Sequence, residues 1–292
     1  MAVQIATFES VCLDKEARLK EILGEYPSIA IGYSGGVDSS YLCEIAHEVL
    51  GPNASMIIAD SPSIPRSELD EARRLAEERG WRLTIARTHE FENEKYLVND
   101  GTRCYFCKSE LFDRMSEFAI ANAVDVLAYG AMADDEFDPT RLGHVAAKQY
   151  KVAAPLQLVD LHKDEIRFLS ERRGLPTAFK ASFACLASRF PTGTRVTIED
   201  IRKVETAEEC LKGLGFYQYR CRHHGDVCRI EVDNADFDKL LDPDIRDQIV
   251  REVTAAGYKH VALDLAGYRT GSSASVPSGT VLANNILGTS LT

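Results

Sequence analysis

Residues 29–42, which read IAIGYSGGVDSSYL, decide how the first half of this chain folds. The apolar run at residues 29–31 is typical of a buried parallel strand, and an amphipathic helix is predicted from Tyr41 onward. Between them, two adjacent glycines permit backbone conformations that side chains forbid, so successive N–H groups can point the same way. Serine hydroxyls and the positive end of the helix dipole complete a predicted cradle for a phosphate or pyrophosphate. The cradle residues are Ser34, Gly35, Gly36, Val37, Asp38, Ser39 and Ser40.

The string SGGVDS differs from two other phosphate-binding loops. It lacks the Gly-Lys-Ser/Thr ending of the Walker loop and the third glycine of the dinucleotide-binding turn. In its predicted strand–helix context it resembles the pyrophosphate loop of the N-type ATP pyrophosphatases, which split ATP between the α and β phosphates and adenylate a substrate. A glycine turn that caps an ordinary helix is the alternative.

Length and composition limit the classes of function. The chain has 292 residues, enough for one large domain or two ordinary ones, and its 45% hydrophobic content is typical of a globular protein. A formal net charge of −11 argues against a nucleic-acid partner and against binding to a membrane surface. The first residues do not resemble a secretory signal, and no apolar run approaches the ~20 residues of a membrane span. We therefore expect a cytoplasmic protein.

Alternation of strands and helices up to residue 190 predicts an α/β fold, a parallel sheet with helices on both faces. Because the carboxyl ends of parallel strands form the ligand crevice, Asp60, Ser61 and Gly130 are predicted to lie near the nucleotide. A helix-capping pair is the alternative for Asp60 and Ser61. Strands are predicted at 55–59, 82–88, 124–129 and 150–155, helices at 8–26, 65–79, 103–122 and 162–174, and a loop at 90–102.

The pattern changes after Pro191, where an αββαβ order predicts a smaller α+β domain with an antiparallel sheet. The elements are helices at 197–214 and 243–256 and strands at 217–222, 228–232 and 260–265. The predicted organisation is a nucleotide domain at 1–190, a substrate-binding or oligomerisation domain at 191–271, and a loosely ordered tail at 272–292. The tail is rich in Ser, Gly, Asn and Thr.

Three cysteines form a second informative pattern. Cys104 and Cys107 lie in a C-x-x-C at a predicted helix start, where Arg103 and Lys108 favour thiolates. Cys185 follows the last helix of the first domain, so all three thiols could meet near the glycine loop. Three thiolates would suit a 4Fe–4S cluster with one open iron. Zinc, redox thiols with one cysteine as sulfur donor, and three unlinked buried thiols are the alternatives.

The other five cysteines are expected to be mostly core thiols. Cys12, Cys43 and Cys210 lie in helical patterns and would act as small hydrophobes, whereas Cys221 and Cys228 lie on adjacent predicted strands.

Four motifs together resemble the LarE family: SGGVDS at 34–39, RCYFCK at 103–108, ACLASRFPTG at 184–193 and LDLAGYRTGS at 263–272. LarE proteins are ATP-dependent sulfur transferases that help to build the nickel-pincer nucleotide cofactor of lactate racemase. The resemblance implies the PP-loop ATP pyrophosphatase fold, which is adenine nucleotide alpha hydrolase-like. It extends from about residue 28 to residue 272.

The resemblance also implies a reaction in two parts. ATP and Mg²⁺ would adenylate a carboxylate of pyridinium-3,5-biscarboxylic acid mononucleotide, and sulfur would then displace AMP to give a thiocarboxylate. Family members with one cysteine sacrifice its sulfur, whereas Cys104, Cys107 and Cys185 resemble the three-cysteine type with a 4Fe–4S cluster. We therefore expect a small-molecule nucleotide substrate and a homo-oligomer.

By the same resemblance, residues 34–40 would hold the phosphates and Lys108 would neutralise the departing pyrophosphate. Ser188 and Arg189 would lie beside the reacting carboxylate. Arg220 and Arg222, which alternate to one face of a strand, would bind the substrate phosphate, with a solvated edge strand as the alternative. Glu208 and Glu231 match acidic positions near a bound metal. Arg141 is a nucleotide-binding candidate in Arg141-Leu142-Gly143, where the family often has Arg-Pro-Gly.

Two other classes of function remain open at this point. One is a different adenylating PP-loop enzyme, such as a tRNA thiolase or an amidotransferase-type synthetase. The other is a non-enzymatic nucleotide-binding or metal-storage module that retains the loop.

Overall fold

The computed structural model describes residues 7–135, 142–181 and 184–269. The chain divides into two compact units, of which unit 1 comprises Met1–Ser61, Arg66–His89 and Tyr105–Ser182. Unit 2 comprises Pro62–Pro65, Glu90–Cys104 and Phe183–Thr292. The predicted domains at 1–190 and 191–271 have other bounds than these units and stay predictions. The predicted tail at 272–292 lies outside the described residues.

A four-stranded parallel sheet forms the centre of unit 1, as predicted. The strand order is β3-β2-β1-β4, so the chain proceeds outward from β1 on one side and then crosses to place β4 on the other. The carboxyl ends of β1 and β4 therefore flank the switch point, where open α/β sheets bind ligands. The strands are β1 (Ile29–Gly32), β2 (Ala54–Asp60), β3 (Arg82–Arg87) and β4 (Val126–Tyr129).

Helices flank this sheet because its inner strands are apolar on both faces. All four residues of β1 are buried. One face packs against α5 and α6 through Ala30, Ile57, Phe112, Met115, Ala146 and Ala147. The helices assigned wholly or mainly to unit 1 are α1 (Phe8–Gly24), α2 (Val37–Leu50), α3 (Arg66–Glu78), α5 (Arg103–Asn122), α6 (Gly143–Gln149), α7 (Pro155–Leu158) and α8 (Lys163–Arg172).

Three local predictions for the first half of the chain were wrong. Helix α2 begins at Val37 rather than Tyr41, because Gly36 takes the extended backbone of an N-cap. Residues 150–155 form no strand of their own, since only Ala153 bridges to Ala128 before Pro155 starts α7. The segment predicted as a loop at 90–102 contains a short 3₁₀ helix and α4 (Glu94–Leu97).

Unit 2 contains a three-stranded mixed sheet in the order β5-β6-β7. Strands β5 (Tyr219–His224) and β6 (Val227–Val232) form the predicted antiparallel hairpin, but β7 (His260–Leu263) pairs parallel to β6. A parallel third strand needs a crossover, which α10 (Phe237–Leu241) and α11 (Pro243–Ala255) provide. The all-antiparallel prediction for this sheet was therefore wrong.

Helix α9 (Ile198–Gly213) precedes the hairpin and buries Ile201, Val204, Ala207 and Leu211. Its start is set by Thr197, whose side chain accepts a hydrogen bond from the N–H of Asp200 at 3.1 Å. Among the residues that the structure describes, no helix has both the length and the apolar character needed to cross a bilayer.

Candidate functional site

The glycine loop after β1 is held in shape by its own serines. The hydroxyl oxygen of Ser39 accepts from the N–H of Ser34 at 3.1 Å and lies 3.0 Å from the Ser34 hydroxyl. The Ser39 hydroxyl also donates to the carbonyl of Gly36 at 3.2 Å. Gly35 has φ +71°, and a Cβ there would lie 3.0 Å from the Cβ of Ala72. The loop conformation therefore requires glycine at position 35.

Helix α2 starts inside this loop, so Asp38, Ser39 and Ser40 belong to its first turn. Its N-cap is Gly36, and no side chain of the described residues caps it. The unpaired N–H groups of a helix start carry roughly half a positive charge, which attracts anions. This end of α2 therefore suits an anion, and the predicted binding of phosphate there stays a prediction.

Gly130, which follows β4, packs directly on the first turn of α2. A Cβ at this position would lie 2.8 Å from the N atom and 2.9 Å from the Cα of Ser39. The end of β4 and the first turn of α2 therefore approach as closely as a glycine permits.

Asp60 and Ser61, at the end of β2, both contact Arg66 at the start of α3. The Asp60 carboxylate forms an ion pair with Arg66 at 2.5 Å, and the Ser61 carbonyl accepts from the same guanidinium. Asp60 thus has a cationic partner in the described residues, and its predicted contact with a nucleotide stays a prediction.

Lys108 lies in α5 beside an aromatic pair. Its ammonium is 6.0 Å from the ring centroid of Phe112 and 5.9 Å from that of Tyr129. Gly143 lies against its stem, where a Cβ would come within 3.0 Å of the Lys108 Cγ. The side chain is therefore confined to one direction. Arg141 lies outside the described residues.

The three predicted sulfur ligands occupy two kinds of position. Cys104 and Cys107 lie in the first turns of α5, the former exposed and the latter half-buried. Cys185 is the half-buried N-cap of a 3₁₀ helix, Leu186–Arg189. Within residues 7–135, 142–181 and 184–269, no group of three or more His, Cys, Asp and Glu side chains could hold a metal ion. The described residues therefore do not fit a cluster site, and the 4Fe–4S cluster stays a prediction.

The remaining cysteines mostly behave as core thiols. Cys12, Cys43, Cys221 and Cys228 are fully buried, and Cys210 is half-buried. Burial raises the pKa of Cys12, Cys43, Cys210 and Cys221, which disfavours their thiolates. These four are therefore poor nucleophiles.

Arg189 is fully buried in unit 2 and is paired in a bidentate way with Glu208. Its Nε and Nη2 donate to the two carboxylate oxygens at 2.7 and 2.8 Å. Nη1 donates to the hydroxyl of Ser188 at 2.8 Å. The N–H of Cys221 donates to Glu208 at 2.9 Å, so β5 helps to hold this carboxylate. Hydrogen bonds thus hold Ser188, Arg189 and Glu208 in place relative to one another.

The two predicted phosphate-binding arginines of β5 are also buried. Strand β5 lies at the edge of its sheet, as the alternative reading expected, but Arg220 and Arg222 are only 7% and 5% exposed, so its expectation of solvated side chains was wrong. Arg222 donates to one oxygen of Glu231 at 2.8 and 3.0 Å and to the carbonyl of Ser188 at 3.1 Å. Burial and repulsion from Arg189 lower the pKa of Arg220 to about 10, which leaves it charged at neutral pH.

We call Arg189, Arg220, Arg222, Glu208 and Glu231 the arginine cluster. It brings three guanidiniums and two carboxylates together in a buried place, and the guanidinium of Arg229 also lies 3.1 Å from Glu231. Guanidinium groups match the geometry of oxyanions, so the cluster suits an anion. Both glutamates have guanidinium partners, and the metal role predicted for them stays a prediction.

Two contacts were not predicted from the sequence. The ammonium of Lys163, at the start of α8, lies 2.6 Å from a carboxylate oxygen of Asp38 in the glycine loop. The guanidinium of Arg220 lies 5.0 Å from the ring centroid of Tyr268. Lys163 is 125 residues away from Asp38 along the chain, so no local pattern could have indicated the contact. Tyr268 lies in the motif at 263–272. The motif indicated that this segment matters, but it did not predict the contact of Tyr268 with Arg220.

Comparison with known proteins adds relatives along nearly the whole chain. An uncharacterised Synechocystis sp. protein is 37% identical over 88% of this chain and 96% of its own length. The pyridinium-3,5-bisthiocarboxylic acid mononucleotide synthase of Lactiplantibacillus plantarum is 31% identical over 88% of this chain and 92% of its own length.

Other relatives match about half of the chain. A glutamine-hydrolysing GMP synthase of Chlamydia caviae is 25% identical over 54% of this chain and 34% of its own length. No protein-family model matches the chain. Because the Lactiplantibacillus synthase is similar along almost its full length, this chain belongs to the LarE family, within the N-type ATP pyrophosphatase superfamily.

Proposed function

We propose that this protein is an ATP-dependent sulfur transferase that converts the carboxylates of pyridinium-3,5-biscarboxylic acid mononucleotide into thiocarboxylates. The observation that carries the proposal is the 31% identity to the L. plantarum synthase across 92% of that protein. The intact glycine loop supports the use of ATP, and the buried arginine cluster supports an anionic substrate.

The activating half of the reaction is proposed at the glycine loop. Ser34, Gly35, Gly36, Val37, Asp38, Ser39 and Ser40 would hold the ATP phosphates, with Asp60, Ser61, Gly130 and Arg141 completing the nucleotide site. Attack of the substrate carboxylate on the α phosphorus would break the bond to the β phosphate and release pyrophosphate. Lys108 would stabilise the charge that builds up on this leaving group, and Mg²⁺ would supply further electrostatic stabilisation.

The acceptor half is proposed at the arginine cluster. Arg220 and Arg222 would bind the phosphate of the substrate nucleotide, because guanidinium groups match phosphate oxygens in a bidentate way. Ser188 and Arg189 would hold the carboxylate that becomes adenylated. The pairing of Arg189 with Glu208 at 2.7 and 2.8 Å would keep these donors in place before substrate arrives.

Sulfur transfer is proposed to depend on Cys104, Cys107 and Cys185. A sulfur nucleophile would attack the acyl carbon, and AMP would leave with the bridging oxygen. A 4Fe–4S cluster held by the three thiolates would be one source of sulfide. Without a cluster, one cysteine would give up its own sulfur, because loss of its Cα proton would break the Cβ–S bond and leave dehydroalanine. The described residues bring together no group of three or more metal-binding side chains, so the cluster rests on the family resemblance alone.

A coupled assay tests the proposed function. Purified protein is incubated with ATP, Mg²⁺ and the dicarboxylate nucleotide, and pyrophosphate and AMP are quantified with and without the nucleotide. We expect release of both only when the nucleotide is present. Release that needs tRNA or ammonia instead would contradict the proposal and favour another adenylating PP-loop enzyme.

Replacement of the cysteines separates the two halves of the reaction. Cys104→Ala, Cys107→Ala and Cys185→Ala should each still release pyrophosphate but form no thiocarboxylate. Cys210→Ala, which changes a half-buried thiol outside the proposed site, is the matched control and should retain both activities. Iron and sulfide analysis after anaerobic purification then distinguishes a cluster from a sacrificed cysteine.

A further inference from the structure

The ammonium of Lys163 binds both carboxylate oxygens of Asp38. Its Nζ lies 2.7 Å from Oδ1 and 2.6 Å from Oδ2, so the ammonium contacts both carboxylate oxygens about equally. The side chains are 37% and 23% exposed, respectively, and both residues belong to unit 1. An ion pair of this geometry lies directly in the first turn of the helix that would receive the phosphates.

Lys163 is held in this position by the start of α8. It is the first residue of that helix, and its backbone N–H donates to a carboxylate oxygen of Asp134 at 2.9 Å. The other oxygen of Asp134 lies 2.8 Å from Nδ1 of His162, the N-cap residue. Glu165 accepts from the N–H of His162 at 2.8 Å in a capping box. Several contacts thus fix the direction from which Lys163 reaches Asp38.

The negative charge of Asp38 opposes phosphate binding at the loop, and the ammonium of Lys163 compensates this charge. A carboxylate in the first turn offsets the half positive charge of a helix N-terminus, and it repels a polyphosphate that approaches the same turn. An ammonium centred on that carboxylate cancels its charge and leaves the N–H groups of α2 as the dominant field. The loop can then attract an anion despite its own aspartate.

We propose that Lys163 is a positioning residue of the glycine loop, which neutralises and orients Asp38 so that the loop accepts the phosphates of ATP. The proposal rests on the use of ATP in the proposed function, and it assigns a role to a residue outside the motifs of the sequence. A purely structural ion pair between α2 and α8 is the competing explanation. The two differ in whether the effect of Lys163 passes through the charge of Asp38.

The test measures the dissociation constant for ATP by calorimetry, with and without Mg²⁺, in wild type and four variants. Without Mg²⁺, Lys163→Met should weaken ATP binding about tenfold or more, whereas Lys163→Arg should stay close to wild type. The loss should shrink when Mg²⁺ is present, because a divalent cation also compensates the charge of Asp38. In an Asp38→Asn background, the change Lys163→Met should cost almost nothing.

Lys20→Met is the matched control, since Lys20 pairs with Glu48 in unit 1 at 2.7 Å without touching the loop. It should bind ATP like the wild type. Thermal unfolding of every variant checks that the protein remains folded.

Two results would overturn the inference. One is an unchanged affinity in Lys163→Met, and the other is an equal loss in the Asp38→Asn background and in Mg²⁺. If Lys163→Met does not fold, the comparison of Asp38→Asn with the double variant Asp38→Asn/Lys163→Met decides in the same way. Failure of the wild type to bind ATP would instead overturn the proposed function, and this inference with it.

Discussion

The glycine loop and the arginine cluster both suit anions, but they are built from opposite materials. The loop uses backbone N–H groups, short hydroxyl side chains and one helix end, held by hydrogen bonds of 3.0 to 3.2 Å among its own residues. The cluster uses long charged side chains, with Arg189 fully buried and bound to Glu208. The loop obtains its field from geometry, whereas the cluster obtains it from charges removed from water.

This difference predicts different weaknesses. A loop made of close backbone contacts is sensitive to a single added methyl group. A buried ion cluster is sensitive to the loss of one charge, because the partner then remains uncompensated in a place that water cannot reach. The following predictions test this contrast from the largest expected effect to the smallest.

Removing one charge from the arginine cluster should give the largest effect. Glu208→Gln keeps the size of the side chain but leaves the buried Arg189 without its counter-ion, and it should lower the free energy of unfolding by about 3–5 kcal/mol. Urea unfolding measures this loss. Glu94→Gln breaks the exposed pair with Arg195 and should leave the unfolding curve unchanged. Equal effects in both variants would contradict the contrast.

Adding one methyl group to the loop region should have an intermediate effect. In Gly130→Ala, the new Cβ would meet backbone atoms of Ser39 in α2 at 2.8 and 2.9 Å, so one of the two segments must shift. We expect a loss of about 1–3 kcal/mol in the free energy of unfolding and weaker ATP binding.

Gly213→Ala is the control for this prediction. No heavy atom lies within 4 Å of a Cβ at position 213, which is the last residue of α9. The free energy of unfolding of this variant should rise by roughly 0.5–1 kcal/mol, the usual difference between glycine and alanine in a helix. If Gly130→Ala were equally stabilising, the close approach of β4 to α2 would be wrong.

Removing the Tyr268 ring that contacts Arg220 should have a smaller effect on stability. Tyr268→Leu loses the cation–π contact at 5.0 Å and should cost about 0.5–1 kcal/mol in unfolding free energy, whereas Tyr268→Phe retains the ring and should cost less. The difference between the two variants isolates the ring from the hydroxyl. Identical losses would show that the cluster relies on its carboxylates alone.

A change in pH should have the smallest effect on stability, and it should act through His162 at the start of α8. Hydrogen bonding to Asp134 raises the pKa of His162 above its ordinary value of 6.5, with Asp160 adding to the effect and Lys15 opposing it. A raised pKa in the folded state stabilises the protein below the unfolded value, and this contribution is lost as pH rises through the folded value. Because the side chain is 44% exposed, screening limits it to well under about 1 kcal/mol.

The variant His162→Gln tests this sign. Its midpoint of thermal unfolding should fall below that of the wild type under mildly acidic conditions, and the two midpoints should converge as the pH rises through the raised pKa of His162. A difference that grows with rising pH would contradict the assigned direction.

The sequence predicted the loop far better than the cluster, for a physical reason. The conformation of residues 34–40 depends on neighbours in the chain, so strand, glycines and serines indicated it directly. Even there, the start of α2 was misplaced, since the N-cap is set by the backbone of Gly36. Alternation in β5 placed Arg220 and Arg222 on one face, but the burial of both and the pairing of Arg222 with Glu231 depend on tertiary packing.

Other features depend on pairing between distant residues, which local pattern does not contain. The parallel pairing of β7 with β6 and the contact of Lys163 with Asp38 are of this kind. The 4Fe–4S cluster, the homo-oligomer and the cytoplasmic location remain predictions from composition and family resemblance.

The most direct test of the central claim is mass spectrometry of the nucleotide product. Protein, ATP, Mg²⁺ and pyridinium-3,5-biscarboxylic acid mononucleotide are incubated anaerobically, and the nucleotide is analysed for exchange of carboxylate oxygen for sulfur. We predict thiocarboxylate formed together with AMP and pyrophosphate. An unchanged nucleotide despite bound ATP and reduced, intact cysteines would contradict the assignment of this protein as a sulfur transferase for that substrate.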